Sequence, residues 1–366
     1  MILAPASVMQ ERALNSESKV TLVGGSAGGG KTFMLLMIAL KFMQDPNATG
    51  VIFRRTTTQL KGVGGIFSEA CAMYKAIYGD KLKIRNRDLE FVFPNGAVLK
   101  FSHFEHEANI YNFQGLQASF IAFDEGTHFT KTMITYLMSR LRNAKVKYTP
   151  QMFISCNPDA DHFLKDWVEF CLDDEGIPII EKTEKERYFV VQKDEFIWVD
   201  DRSELEAVYG TGADSGISSF RFVPIKCTDN PPLLKAQPDY ISNLKALGRV
   251  EEMRLLHGSW TVRAEAAGYI KEHFFTMRDL PIARPIKRVR AWDLACTLPS
   301  EVNRDPDYSV GALMSKDDNK IYAIEDIVRF RDRFAGVEER ILHTAIQDGR
   351  DTIIVIPLDA GSAGKA

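Results

Sequence analysis

The chain has 366 residues, room for two or three domains that each bury a core. Its 46 Lys and Arg against 49 Asp and Glu leave a formal net charge of −3, which excludes a polybasic DNA binder but not a local basic patch or channel. No apolar run reaches the roughly 18 residues of a membrane span, and the opening MILAPASVMQER lacks the basic start and apolar stretch of a signal peptide. From Lys19 the pattern predicts a strand (KVTLV), a glycine-rich turn, and an apolar helix over residues 32–43. A strand at 50–53 (GVIF), a polar loop to Gly65 and a helix over 67–78 follow. Residues 89–101 read as a hairpin around Pro94-Asn95-Gly96. Buried strands are expected at 119–123 (SFIAF) and 152–155 (MFIS), with a helical stretch holding YLMSRLR between them. Strands alternating with helices imply an α/β domain with a largely parallel sheet.

Past Pro158 the pattern loosens. Gly210 to Gly216 (GTGADSG) reads as a loop inside a long hairpin, and Pro231-Pro232 introduces a helical block over 240–260. After the linker-like PIARP at 281–285 come a strand (RVRAWDL) and a hairpin pair (YSVGALM, KIYAIEDIV). A helix over 335–347 and a strand over 352–356 complete a second, different α/β unit. The five cysteines, odd in number and without C-x-x-C spacing, read as reduced thiols of an intracellular protein.

Two segments carry chemistry. Gly25-Ser26-Ala27-Gly28-Gly29-Gly30-Lys31-Thr32 fits G-x-x-x-x-G-K-[ST] at every fixed position, between a strand and a helix. The glycines let successive backbone N–H groups curl around a phosphate, and the helix N-terminus adds its positive dipole end. Lys31 is assigned to the β- and γ-phosphates, and the Thr32 hydroxyl to Mg²⁺. Ile121-Ala122-Phe123-Asp124-Glu125 is the matching acidic strand: Asp124 for magnesium, Glu125 for polarising the attacking water. Hydrolysis of a nucleoside triphosphate follows from the pair. Asn157, in Cys156-Asn157-Pro158 after the third strand, is either a γ-phosphate sensor or a plain Asn-Pro turn.

In order along the chain, these motifs resemble the large terminase subunit of tailed double-stranded DNA bacteriophages. The resemblance also takes in Gln10, Arg54-Arg55-Thr56, Phe113-Gln114-Gly115, Ser139-Arg140-Leu141-Arg142, Asp229-Asn230-Pro231 and Leu255-Leu256-His257-Gly258-Ser259-Trp260. It implies a P-loop (RecA-like/ASCE) ATPase domain over 1–227, a helical lid and linker over 228–283, and an RNase H-like nuclease domain over 284–366. It further implies that Gln10 contacts the adenine of ATP and that Cys156-Asn157-Pro158 couples hydrolysis to movement. Arg140 or Arg142 is the candidate to complete a neighbouring subunit's site, and Arg54 or Arg55 the candidate to act within the subunit.

For the nuclease the resemblance implies two metal ions, Mg²⁺ or Mn²⁺, held by carboxylates that clamp an in-line phosphodiester cleavage. Asp293, ending RVRAWD, and Asp359, after TIIVIPL, are the ligands expected. Asp307 is a candidate auxiliary ligand, and Asp326 is read as a strand-end residue with no role. A third carboxylate is not found up to Ala366, so this nuclease is expected to be incomplete and inactive in the chain as it stands.

The function implied is an ATP-driven motor that moves double-stranded DNA into a procapsid and carries a metal-dependent endonuclease. Portal protein, a small terminase subunit and copies of the chain in a ring, monomeric when isolated, are the expected partners, in the host cytoplasm and away from membranes. Two alternatives remain: a nucleic-acid-stimulated helicase-like ATPase that never cuts, and an assembly adaptor switched by nucleotide. Glu125 argues against the adaptor, because a switch needs no water-polarising acid.

Overall fold

The computed structural model describes residues 4–193, 195–263, 275–276, 285–298 and 306–357, and its contacts divide the chain into two units, Met1–Ala266 and Ala267–Ala366. The first unit opens with α1 (Val8–Leu14), β1 (Val20–Gly25), α2 (Lys31–Phe42), β2 (Thr49–Arg54), α3 (Thr57–Lys61) and α4 (Ile66–Tyr78). Next come β3 (Lys83–Arg85), β4 (Glu90–Val92), β5 (Val98–His103), β6 (Phe120–Asp124), α5 (Lys131–Met138) and β7 (Gln151–Cys156). The chain continues through α6 (Leu164–Val168), β8 (Arg187–Gln192), β9 (Glu195–Val199), α7 (Arg202–Tyr209) and β10 (Ser218–Ile225). Short helices α8 (Pro231–Ala236), α9 (Tyr240–Lys245) and α10 (Arg249–Glu252) follow.

The strands form one sheet in the order β3-β4-β5-β2-β6-β7-β1-β10-β8-β9. From β5 to β10 every neighbouring pair is parallel. Every residue of β1, β6 and β7 is buried, which is why these strands read as continuous apolar runs and not as alternation. On one face, Met34, Leu35 and Ile38 of α2 pack with Ile52, Phe120, Phe153 and Val223. On the other, Leu22, Phe53, Phe123 and Ile154 pack with Trp167 and Trp260. A fully buried Phe contributes about 2–3 kcal/mol by burial, so these two layers hold the strand ends in place.

Three departures from the sequence reading have physical causes. The hairpin after Pro158 is β8–β9, and Gly210 does not interrupt it: Gly210 ends α7, whose start Asp201 caps by accepting the Ser203 N–H. β10 then joins the sheet beside β1, with Pro224 opposite Gly24. Pro224 lies past the three residues of β10 that pair with β8, so its missing N–H costs no ladder bond on that side. The block over 240–260 is not one helix. It breaks into α9, α10 and a π-helical turn, Met253–His257, that ends at Gly258 with φ +79°.

The second unit has the expected element order. It runs β11 (Lys287–Asp293), β12 (Ser309–Lys316), β13 (Tyr322–Phe330), α11 (Phe334–Asp348) and β14 (Thr352–Val355), and its four strands form a sheet β13-β12-β11-β14, antiparallel except for β14 on β11. Arg290, 1% exposed, makes two hydrogen bonds of 2.7 Å to the Asp348 carboxylate and one of 2.8 Å to Asp326. Asp326 is therefore not a strand-end residue: it lies within β13 and helps neutralise a buried cation.

Candidate functional site

The chain needs glycine where β1 turns into α2. Gly25 has φ +134°, and a Cβ there would stand 2.3 Å from the Ile225 carbonyl oxygen. Gly28 and Gly30 also have positive φ, and Gly30 caps α2 in the left-handed conformation. Residues far away in sequence tether the loop. Ser26 Oγ accepts the Cys227 N–H at 2.7 Å, and the Asn230 amide donates to Gly28 O at 2.8 Å. Gln10, 1% exposed, donates to Gly29 O at 3.0 Å and to Asp229 O at 3.2 Å, while its Oε1 accepts the Ala6 N–H. The Ala27 N–H donates to Leu255 O at 2.7 Å, and the Tyr240 ring packs against Gly28.

Because β2, β6, β7 and β1 are adjacent and parallel, their carboxyl ends share one crevice, the usual ligand position of an open α/β sheet. Lys31 Nζ donates to Ser26 O at 2.7 Å and to Asn157 Oδ1 at 3.0 Å. It is 8% exposed, and burial pulls its pKa below the ordinary lysine value, with Glu125, Cys156 and Asp124 pulling the other way. The Thr32 hydroxyl lies 3.3 Å from both oxygens of Asp124. Asp124, 1% exposed, also accepts from Ser155 Oγ at 2.6 Å and from Arg54 Nε at 2.7 Å. Glu125 follows in the left-handed region, φ +60°, which is strained for a residue with a Cβ and costs of order 1 kcal/mol. Lys31, Thr32, Asp124, Glu125 and Asn157 thus meet in one place. The oxygen donors of Thr32, Asp124 and Ser155 suit a hard divalent cation such as Mg²⁺.

Other candidates lie elsewhere. Arg140 and Arg142 fall beyond the end of α5 and not on a helix. Arg140 donates to Gln114 O at 2.9 Å and stacks on Tyr136, while Arg142 is exposed and makes no side-chain hydrogen bond among the described residues. Arg55 contacts Met133 and lies over Phe129. Asp293 ends β11 and is exposed, as is Asp307 before β12. Asp359 lies outside the described residues, and among those described no group of three or more His, Cys, Asp and Glu could hold a metal ion. Sequence reasoning misses the tethers from Asn230, Leu255 and Tyr240, although Asp229-Asn230-Pro231 and Leu255-Leu256-His257 stand among the signatures. It also misses Ser155, an ordinary strand serine that only the β6–β7 register brings to Asp124.

The family described as terminase large subunit, T4likevirus-type, N-terminal, matches residues 22–276. The chain belongs to that family. It is a large terminase subunit of tailed phages. No curated protein matches this terminase chain. Among solved structures it is similar to the large terminase of a thermophilic bacteriophage in complex with ADP: 14% identity, 98% of this chain and 78% of that one, TM-score 0.46. It is also similar to the HK97 bacteriophage large terminase, at 13% identity over 98% of this chain and 70% of that one, TM-score 0.40. A third likeness is to the ATPase domain of the Thermus phage P74-26 large terminase, 12% identical over 69% and 92%, TM-score 0.41. No described helix of this terminase chain is long and apolar enough to cross a membrane.

Proposed function

We propose that this terminase chain is the ATP-hydrolysing motor that drives double-stranded DNA into a phage procapsid. The observation that carries the proposal is the convergence of Lys31, Thr32, Asp124, Glu125 and Asn157 at the carboxyl ends of adjacent parallel strands. The large terminase of the thermophilic phage has been solved with ADP and with ATP-γ-S, in line with a nucleotide site in the family. In this chain Gly25 to Gly30 cradle the phosphates, Lys31 bridges the β- and γ-phosphates, and Gln10 fixes the loop on the side assigned to adenine. Thr32 and Asp124 would hold Mg²⁺, which would supply positive charge to offset that of the phosphates. Glu125 polarises the attacking water, and Asn157, bonded to Lys31, reports loss of the γ-phosphate to the β7 loop. Arg140 and Arg142 are the candidates to enter a neighbour's site in a ring. The ring, the portal protein, the small subunit and the host cytoplasm complete the assignment.

For the second unit we propose the metal-binding part of a nuclease, with Asp293 and Asp359 as ligands of Mg²⁺ or Mn²⁺ and Asp307 as auxiliary. Lys31→Ala tests the motor: DNA-stimulated ATP hydrolysis is expected to vanish, and retained hydrolysis would refute it. Asp293→Asn tests the second site by calorimetry with Mn²⁺: one equivalent of bound metal is expected to disappear, and an unchanged stoichiometry overturns the assignment.

A further inference from the structure

In the second unit, Asp293 on β11 stands opposite Val310 on β12, and Val310 opposite Arg329 on β13. Directly opposed residues of antiparallel strands point to the same face, so Asp293 and Arg329 share one face of the sheet. Two strand spacings separate their backbones, about 10 Å. Tyr308, two residues before Val310, sits between two cations: the guanidinium carbon of Arg329 lies 3.6 Å from its ring centroid and that of Arg331 lies 3.7 Å away. Arg329 is exposed, and no ion pair among the described residues includes it.

Two guanidiniums on one phenol ring repel each other, and the stacking on each face is worth only about 1 kcal/mol. Contact with the ring restrains the Arg329 guanidinium, and Arg329 is exposed. A pre-oriented guanidinium loses little entropy on meeting a phosphate and can bond it bidentately, which a lysine cannot. An arginine placed only to pack the strand edge would need no such orientation and no common face with Asp293.

We infer that Arg329, braced by the Tyr308 ring, grips a backbone phosphate of duplex DNA beside the metal site proposed at Asp293. The inference rests on the nuclease reading of this unit for its purpose, though not for the binding itself. It makes the contact independent of base sequence, because phosphates carry no sequence information.

The test is fluorescence anisotropy of labelled duplex DNA with the whole chain in EDTA, across a KCl series. Arg329→Gln is expected to weaken binding roughly tenfold and to lower the log–log salt slope by about one, as expected for one lost phosphate contact. Tyr308→Ala should share most of that loss, and Tyr308→Phe should keep wild-type binding, since the ring and not the hydroxyl braces the arginines. Arg329→Lys should recover the slope but only part of the affinity. Unchanged ATPase rate and melting temperature mark each variant as folded. Wild-type affinity and slope in both Arg329→Gln and Tyr308→Ala overturn the inference. If those variants bind normally while Asp293→Asn loses its Mn²⁺, the clamp fails and the nuclease reading stands. If Asp293→Asn keeps full Mn²⁺ stoichiometry while Arg329→Gln loses DNA, the reverse holds.

Discussion

Arg54 Nε donates to Asp124 Oδ2 at 2.7 Å, tying the carboxylate proposed for magnesium to the end of the neighbouring strand. Asp124 is 1% exposed and the Arg54 side chain 15%, so the pair is largely out of water. Such a pair is weak evidence for stability in itself, but removing one partner strands the other charge. Arg54 supplies the positive charge opposite Asp124.

Arg54→Ala is therefore expected to lower stability by about 3 kcal/mol without nucleotide. Urea unfolding measures it. Asp124→Asn combined with Arg54→Ala should cost clearly less than the sum of the two, because no charge is then left unpaired. Additive losses would mean the pair is incidental.

Gly25 is held by backbone, not by a side chain that can swing away. A Cβ there meets Ile225 O at 2.3 Å with φ at +134°, so Gly25→Ala should cost about 2 kcal/mol or more and impair nucleotide binding. Gly115, with nothing within 4 Å of an added Cβ, is the control: Gly115→Ala should leave the melting temperature nearly unchanged.

His162 is expected to make the protein sensitive to acid. Its Nε2 lies 2.7 Å from Phe129 O and its Nδ1 accepts the Leu164 N–H at 3.3 Å, an arrangement that needs the neutral ring. Burial is the largest influence on its pKa and pulls it below the ordinary histidine value. The unfolded chain then binds the proton more readily, so this contribution is present above the unfolded pKa, near 6.5, and is lost as pH falls through the folded one. His162→Gln should flatten the decline of stability below about pH 6.5. Denaturant midpoints at several pH values read this directly, and an unaltered slope would exclude His162 as its source.

Arg290 holds the second unit through Asp348 and Asp326. Arg290→Met leaves Asp348 buried without its cation and should destabilise that unit by about 3–5 kcal/mol. ATP hydrolysis, on the other unit, should persist. Differential scanning calorimetry with an ATPase assay on the same sample separates the two effects.

The phosphate loop and the acidic strand were legible because their chemistry is local. Gly25, Gly28 and Gly30 must be glycine for the backbone to curl, Lys31 and Thr32 must follow them, and Asp124-Glu125 must end an apolar strand. The apolar runs at 20–25, 120–124 and 151–156 announced strands buried on both faces. What misled was segmental: 240–260 has helix-forming composition, yet Gly248 and Gly258 break it into short pieces.

Sequence by itself determined the large-terminase resemblance, the α/β class and the order of elements, since periodicity, turn residues and short motifs act between near neighbours. Only the tertiary structure decided which distant groups meet. The pairing of Arg54 with Asp124, the tether from Asn230 to Gly28 O and the stack of Arg329 and Arg331 on Tyr308 depend on strand order and register. A register shift of one residue would reverse every side chain of a strand, and no local pattern at Arg54 or Tyr308 names its partner.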